Sequence, residues 1–213
     1  MIIDDRMASF LNSFDTGLPK YLDDLEAGAI KDEVPIVRTD TIALLKLIMT
    51  AHKPMKILEV GCAVGFSALL MKEYSPKGCK ITTIEKFEPR IIEAKKNFEA
   101  YDKEGAITLL EGDATEILAG LNDEYDLIFM DAAKGQYINF LPDCMRLLKS
   151  GGLLISDNVL QDGEVLESRY SVTRRNRTIH ARMRDYLYEL THNDSLTSTI
   201  LPVGDGVTIS VKR

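Results

Sequence analysis

Four side chains in the second half of the chain have the types and spacing of a catalytic group: Asp131, Lys134, Asp157 and Asn158. Asp131 follows the apolar run at residues 127–130, and Asp157-Asn158 follow the run at 153–156, so both stand at the ends of short buried strands. Adjacent parallel strands lie about 4.8 Å apart, which brings the two ends to one place. Two carboxylates and an amide oxygen are hard ligands, suited to Mg²⁺ with its remaining positions left to water or substrate. Lys134 comes three residues after Asp131. Beside a cation and partly buried, it is a candidate general base. Blander roles stand next to these: strand-end acids cap loops, and a loop lysine is solvated.

Upstream, Val60-Gly61-Cys62-Ala63-Val64-Gly65 turns a strand at 56–60 into a helix at 66–74. Such a turn puts bare backbone N–H groups and a helix N-terminus at the carboxyl edge of a sheet, where ligands with a nucleoside part bind. The spacing Gly61-x-x-x-Gly65 is not the G-x-G-x-x-G of a dinucleotide site, and no Lys-Ser/Thr follows to make a P-loop. Glu59, inside the strand, would repel a phosphate and suit a cationic ligand. Glu85 ends the next strand about 20 residues beyond the turn, where a Rossmann-like fold places an acid for ribose hydroxyls. Gly112-Asp113-Ala114 ends a third strand, and Asp113 either meets an adenine edge or caps the helix it opens.

The elements that must position these residues alternate. Strands are expected at 56–60, 79–84, 106–110, 127–130 and 153–156, and helices at 66–74, 88–101, 114–120 and 137–149. That alternation means right-handed crossovers and a parallel sheet. Ser150-Gly151-Gly152 reads as the C-cap of the last of these helices. A further amphipathic helix spans 175–191, with Ile179, Met183, Leu187 and Leu190 on one side. Residues 198–202 and 207–211 form a hairpin around Gly204-Asp205-Gly206. Before the core come three helices. The first places Ile3, Met7, Phe10, Leu11 and Phe14 on one face. The second spans 21–30, and Thr39 or Asp40 caps the third. They read as a cap over the site or a homodimer contact. The whole is one domain, a helical cap at 1–52 followed by a Rossmann-like core at 53–213.

At 213 residues one α/β domain suffices. A net charge of −7 and a pI of about 5.1 argue against a generally basic, nucleic-acid-coating surface, though not against a local patch. Cys62, Cys79 and Cys144 lack metal-type spacing and read as buried thiols, which with no signal peptide or membrane span makes a cytoplasmic location the expectation.

Taken together, Val60-Gly61-x-x-x-Gly65-Phe66-Ser67, Glu85, Gly112-Asp113-Ala114, Asp131-Ala132-Ala133-Lys134 and Asp157-Asn158 resemble the class I S-adenosylmethionine methyltransferases. More narrowly they resemble the cation-dependent O-methyltransferases of the catechol and caffeoyl-CoA type. The resemblance covers about residues 35–213. It implies a mostly parallel seven-stranded sheet with an antiparallel C-terminal hairpin strand. It also implies that Val37, Glu59, Gly61, Ser67, Glu85, Asp113, Ala114 and Asp131 line the cofactor. Asp131, Asp157 and Asn158 would hold Mg²⁺, and Lys134 would be the base, with Asp131 beside it. A sulfonium cofactor suits an acidic cleft without a phosphate cradle, and a substrate with two vicinal oxygens suits the metal.

Residues 169–184 hold six arginines and no acid up to Arg184. Arginine forks bind phosphates, and a basic stripe is an electrostatic footprint for RNA; the plain alternative is a solvated helix face paired with Glu164, Glu167, Asp185 and Glu189. Arg174, Arg175 and Arg177 are the substrate candidates. The segment resembles that of the bacterial subgroup methylating 5-hydroxyuridine at the tRNA wobble position, whose 5-hydroxyl and 4-oxygen form a catechol-like pair. With no Trp in the chain, Phe66, Tyr137 and Tyr170 are the aromatic walls at hand. The competing readings are the same chemistry on a small catechol or phenolic CoA ester, and a nucleotide- or RNA-binding module without catalysis.

Overall fold

The computed structural model describes residues 4–213, so Ile3 lies outside the described residues. Three N-terminal helices, α1 (Asp5–Asn12), α2 (Lys20–Lys31) and α3 (Thr39–His52), precede the core. The core runs β1 (Lys56–Val60), α4 (Phe66–Tyr74), β2 (Lys80–Glu85), α5 (Glu88–Tyr101), β3 (Ile107–Glu111), α6 (Ala114–Gly120), β4 (Tyr125–Met130), α7 (Tyr137–Leu147) and β5 (Leu148–Ser156). After it come α8 (Arg177–His192) and the hairpin β6 (Leu196–Leu201) and β7 (Val207–Lys212). The strands form one seven-stranded sheet in the order β3-β2-β1-β4-β5-β7-β6, parallel except for the antiparallel β7 and β6.

Strand alternation assigns each side chain to one of two cores. Leu58 and Val60 of β1 face the layer that includes Leu118, Phe140, Leu147, Met183 and Leu190 from α6, α7 and α8. Ile57 faces the opposite layer with Leu22, Leu45, Met49 and Leu69 from α2, α3 and α4. Of the N-terminal helices, α2 and α3 therefore pack on α4. Among the described residues before the core, it is the link between α2 and α3, through Pro35 and Ile36, that reaches the cleft.

Three local expectations are corrected. Neither Thr39 nor Asp40 caps α3. Arg38 takes that position, and Asp40 turns its carboxylate to the backbone N–H of Gly204 instead, at 2.6 Å. Ser150-Gly151-Gly152 does not end α7. The helix stops at Leu147 and these residues lie within β5, opposite a register shift in β4. A side chain at Gly152 would press against the Asp126 carbonyl at 3.0 Å and the Leu148 side chain at 2.8 Å, so the glycines serve close strand packing. On α8, His180 and Tyr186 are buried beside Met183, Leu187 and Leu190, while Ile179 stands at the rim.

Candidate active site

The sheet's carboxyl edge opens into a cleft of about 500 Å³, a volume in the range of small-ligand sites. Gly61, Glu85, Asp113, Ala114, Asp131, Lys134 and Asn158 line it. Gly61 adopts φ +102°, and a side chain there would run into the Asp131 carbonyl. The turn can therefore lie against the end of β4 only as glycine.

Glu85 is the hub of the nucleoside-side wall. One oxygen accepts the Lys86 and Phe87 N–H groups and the other accepts Ala63 N–H, each at 2.9 Å. A carboxylate offers about four lone-pair sites, so it can still take one more donor. Of the two roles expected of Asp113, the structure forms the helix cap on α6, through Thr115 N–H at 2.9 Å, and the residue also stands at the cleft. Lys86 reaches across to Asp113 at 3.3 Å. Both are exposed, and such a pair contributes about 1 kcal/mol or less, so it opens easily for a ligand.

Val37, Glu59 and Ser67 do not line the cleft; all three are buried. Glu59 shares a face with Ile57 and is the direct register partner of Thr83 on β2, whose hydroxyl donates to it at 2.5 Å. It is completely enclosed under α4, and burial pushes its carboxyl up to about 8, against the hydrogen bonds from Ser67 and Thr83. Burial thus favours the neutral acid, which would offer a sulfonium in the cleft little negative charge. Phe66 and Tyr137 are likewise core residues and cannot wall a substrate. The Tyr137 hydroxyl donates within hydrogen-bond reach of the Met130 and Asp157 carbonyls, tying the two strand ends together. Phe87, Arg90 and Phe140 line the cleft instead.

At the other wall, Asp157 N–H donates to the Met130 carbonyl, so the ends of β4 and β5 meet as their register requires. Asn158, at φ +61°, donates its side-chain amide to Asp131 at 3.0 Å, while its backbone N–H donates to the Asp157 carboxylate at 2.8 Å. Asp131 and Asn158 face the cleft; Asp157 lies just behind, 2% exposed. Burial raises both carboxyls, and for Asp157 the neighbouring Asp131 charge adds to it. Among the described residues no three His, Cys, Asp or Glu side chains form a metal cluster, so the donor set is these two carboxylates and the amide. That set fits a hard divalent cation. Its acids are held together while the Lys134 ammonium bonds elsewhere, to Asp205 at 3.2 Å.

The arginine segment borders this wall. α8 packs on the turn Lys134–Gln136, and Arg182 donates to the Gly135 carbonyl at 3.0 Å. Arg177 and Arg184 also bond to backbone carbonyls, of Val172 and Val165. Arg169, Arg174 and Arg175 are exposed, as is Tyr170 at 87%. Among the described residues none of the six arginines pairs with a carboxylate, so the solvated, salt-bridged helix face does not form.

An O-methyltransferase family model matches residues 12–213. The chain belongs to the O-methyltransferase family. It is therefore an enzyme of methyl transfer, and the site described above lies within the matched region. A curated relative, O-methyltransferase ankF of Aspergillus thermomutatus, is 30% identical over 175 residues, 74% of this chain and 71% of that protein. A candidate caffeoyl-CoA O-methyltransferase from Staphylococcus aureus superposes with a TM-score of 0.86 at 33% identity, covering 98% of each chain. The Podospora anserina methyltransferase PaMTH1, solved with S-adenosylhomocysteine bound, superposes with a TM-score of 0.87 at 25% identity, covering 98% of this chain and 94% of that one. Within the family the likeness is to the caffeoyl-CoA type.

Proposed function

We propose that the protein transfers the methyl group of S-adenosylmethionine to a hydroxyl with a vicinal oxygen, and that the acceptor is 5-hydroxyuridine at the tRNA wobble position, giving 5-methoxyuridine. The observation that carries the acceptor is the flank of the cleft. Arg169, Arg174 and Arg175 are exposed and, among the described residues, unpaired with any carboxylate, beside an exposed Tyr170, in a protein of net charge −7. Three exposed forks and one exposed ring suit backbone phosphates and an unstacked base. An anticodon-loop base is already accessible, so little unpairing cost arises.

On this reading the adenosyl part lies between the Gly61 turn, Glu85 and Asp113-Ala114, with Glu85 taking a ribose hydroxyl at its remaining lone pair. Asp131, Asp157 and Asn158 would hold Mg²⁺, which when bound lowers the acceptor hydroxyl's pKa and fixes its orientation. Lys134, in its neutral amine form, takes the hydroxyl proton and becomes the ammonium, and the oxyanion so formed lies in line with the methyl group. Phe140 and the Pro35-Ile36 link exclude water. In-line positioning of this kind supplies much of the rate. The protein works in the cytoplasm, where tRNA is; among the described residues no helix is long and apolar enough to cross a membrane. Met7, Phe10 and Leu11 along α1, and Phe14 just after it, stay largely exposed, the face a second copy would cover in a homodimer.

A small catechol or phenolic CoA ester is the second reading. It is supported by the likeness to the Staphylococcus aureus protein, and by arginines that also suit a CoA phosphate. Membership of an enzyme family sets aside the non-catalytic binding module. The test is mass spectrometry of nucleosides from tRNA lacking the modification, before and after incubation with enzyme, S-adenosylmethionine and Mg²⁺. Conversion of 5-hydroxyuridine to 5-methoxyuridine is expected. Methylation of a catechol panel with the tRNA unchanged overturns the RNA reading.

A further inference from the structure

The hairpin turn Gly204-Asp205-Gly206 reads from sequence as no more than a reversal. In the fold, Asp205 is 2% exposed and lies just outside the cleft lining, behind Lys134. One carboxylate oxygen accepts from Lys134 Nζ at 3.2 Å, and the other accepts the backbone N–H of Asp162. The Asp205 carbonyl accepts Leu160 N–H and the Gly206 carbonyl accepts Val159 N–H, both at 2.9 Å. Asp205 thus bonds at three points to the lysine and to the segment leaving Asp157-Asn158. In that segment Asn158, Gln161 and Asp162 have φ of +61°, +51° and +51°. Positive φ at non-glycine residues is strained, and persists where surrounding bonds impose it. A second tie comes from the start of α3, where Asp40 holds Gly204 N–H and Arg38 meets the Asp162 carboxylate at 3.0 Å.

We infer that Asp205 is a positioning residue: its buried carboxylate fixes the Lys134 amino group at the cleft, before and after it takes up a proton, and sets it in register with the Asp157-Asn158 loop. A lysine is a point charge on a flexible four-carbon stem, and this one is 36% exposed. Left alone it would spend much of its time in solvent. A buried carboxylate, for its part, needs a cation or strong donors. The arrangement rests on Lys134 being the proton acceptor, and it acts through that lysine.

Asp205→Asn isolates the effect. The amide keeps one oxygen for Asp162 N–H and turns an NH₂ group towards Lys134. With S-adenosylmethionine, Mg²⁺ and either 3,4-dihydroxybenzoate or tRNA carrying 5-hydroxyuridine, we expect kcat to fall about 10- to 100-fold, within the span of general-base effects. The KM for S-adenosylmethionine should stay within about twofold of wild type. Added to Lys134→Met, Asp205→Asn should cost no further activity, because residues acting as a unit are not additive. Two readouts need no acceptor. Acetic anhydride should acetylate Lys134 several-fold faster in Asp205→Asn than in wild type, as read by peptide mass spectrometry. Lys134→Met should melt below wild type and recover when Asp205→Asn is added. Should Asp205→Asn alone not fold, the Lys134→Met pair with and without it decides by melting temperature. An unchanged acetylation rate, or no recovery in the double variant, overturns the inference. Full activity in Lys134→Met would instead overturn the base assignment, whereas an inactive Lys134→Met beside a fully active Asp205→Asn removes only the role of Asp205.

Discussion

Along the carboxyl edge of the sheet, neighbouring strands decide where each polar side chain goes; along the flank from residue 159 to 184, they do not. Asp131 and Asp157 follow the register partners Met130 and Ser156, and Asn158 is bonded to both acids. On the flank, arginines of one type and one stretch divide into two kinds. Arg177, Arg182 and Arg184 hold carbonyls of the fold, whereas Arg169, Arg174 and Arg175 are exposed and, among the described residues, pair with no carboxylate. A ladder fixes position by repeated backbone bonds, so type and spacing are enough to place a strand-end residue. An irregular flank fixes position contact by contact.

The sharpest test of the edge is Asp157→Ala. It should lower kcat about 10³-fold or more and abolish stimulation by Mg²⁺; full turnover with excess chelator would break the claim that the two strand ends work together. Lys134→Met should cost about 10²-fold or more in kcat with a near-normal KM for S-adenosylmethionine. A KM effect alone would move Lys134 from the edge's chemistry to the flank's binding.

Glu59 tests the edge by stability and pH. Its folded value of about 8 lies above the ordinary 4.5, so the folded state keeps a proton that the unfolded chain gives up. The sign follows: the folded state binds more protons in that window, and stability present below about 4.5 is lost as pH rises towards 8. Glu59→Gln should flatten that slope and gain a few kcal/mol at pH 8. A wild-type slope in urea unfolding between these limits, retained in the variant, would show that another group carries it.

The smallest effects separate the two kinds of arginine. Arg174→Glu with Arg175→Glu should raise the KM for tRNA about tenfold and lower the salt slope by about 2, leaving a small catechol untouched. Arg182→Ala should instead lower stability by about 1 kcal/mol, through the unpaired Gly135 carbonyl. Equal losses on both substrates in the charge-reversed variant would erase the division and assign all six to the scaffold.

Much of the fold was legible because hydrophobic period and glycine punctuation are local properties. The bounds expected for β1, α4, α5 and α6 are those observed, and the terminal hairpin forms as expected. The glycines at 150–152 misled, since a helix C-cap and a tight strand crossing ask for the same residue. Phe66 and Tyr137 misled because an aromatic near a cleft in sequence can point either way from its element.

By itself the sequence determined the alternation, the carboxyl-edge placement of Glu85, Asp131 and Asn158, and the family. Each follows from a repeat a few residues long, or from a residue standing where a strand must end. Only the tertiary structure decided that Glu59 is sealed with its carboxyl pushed up by burial, that three arginines bond to the scaffold and three stand exposed, and that Asp205 holds Lys134. Those facts depend on which surfaces approach one another across tens of residues. The energy of a buried charge is set by those neighbours and not by its place in the chain.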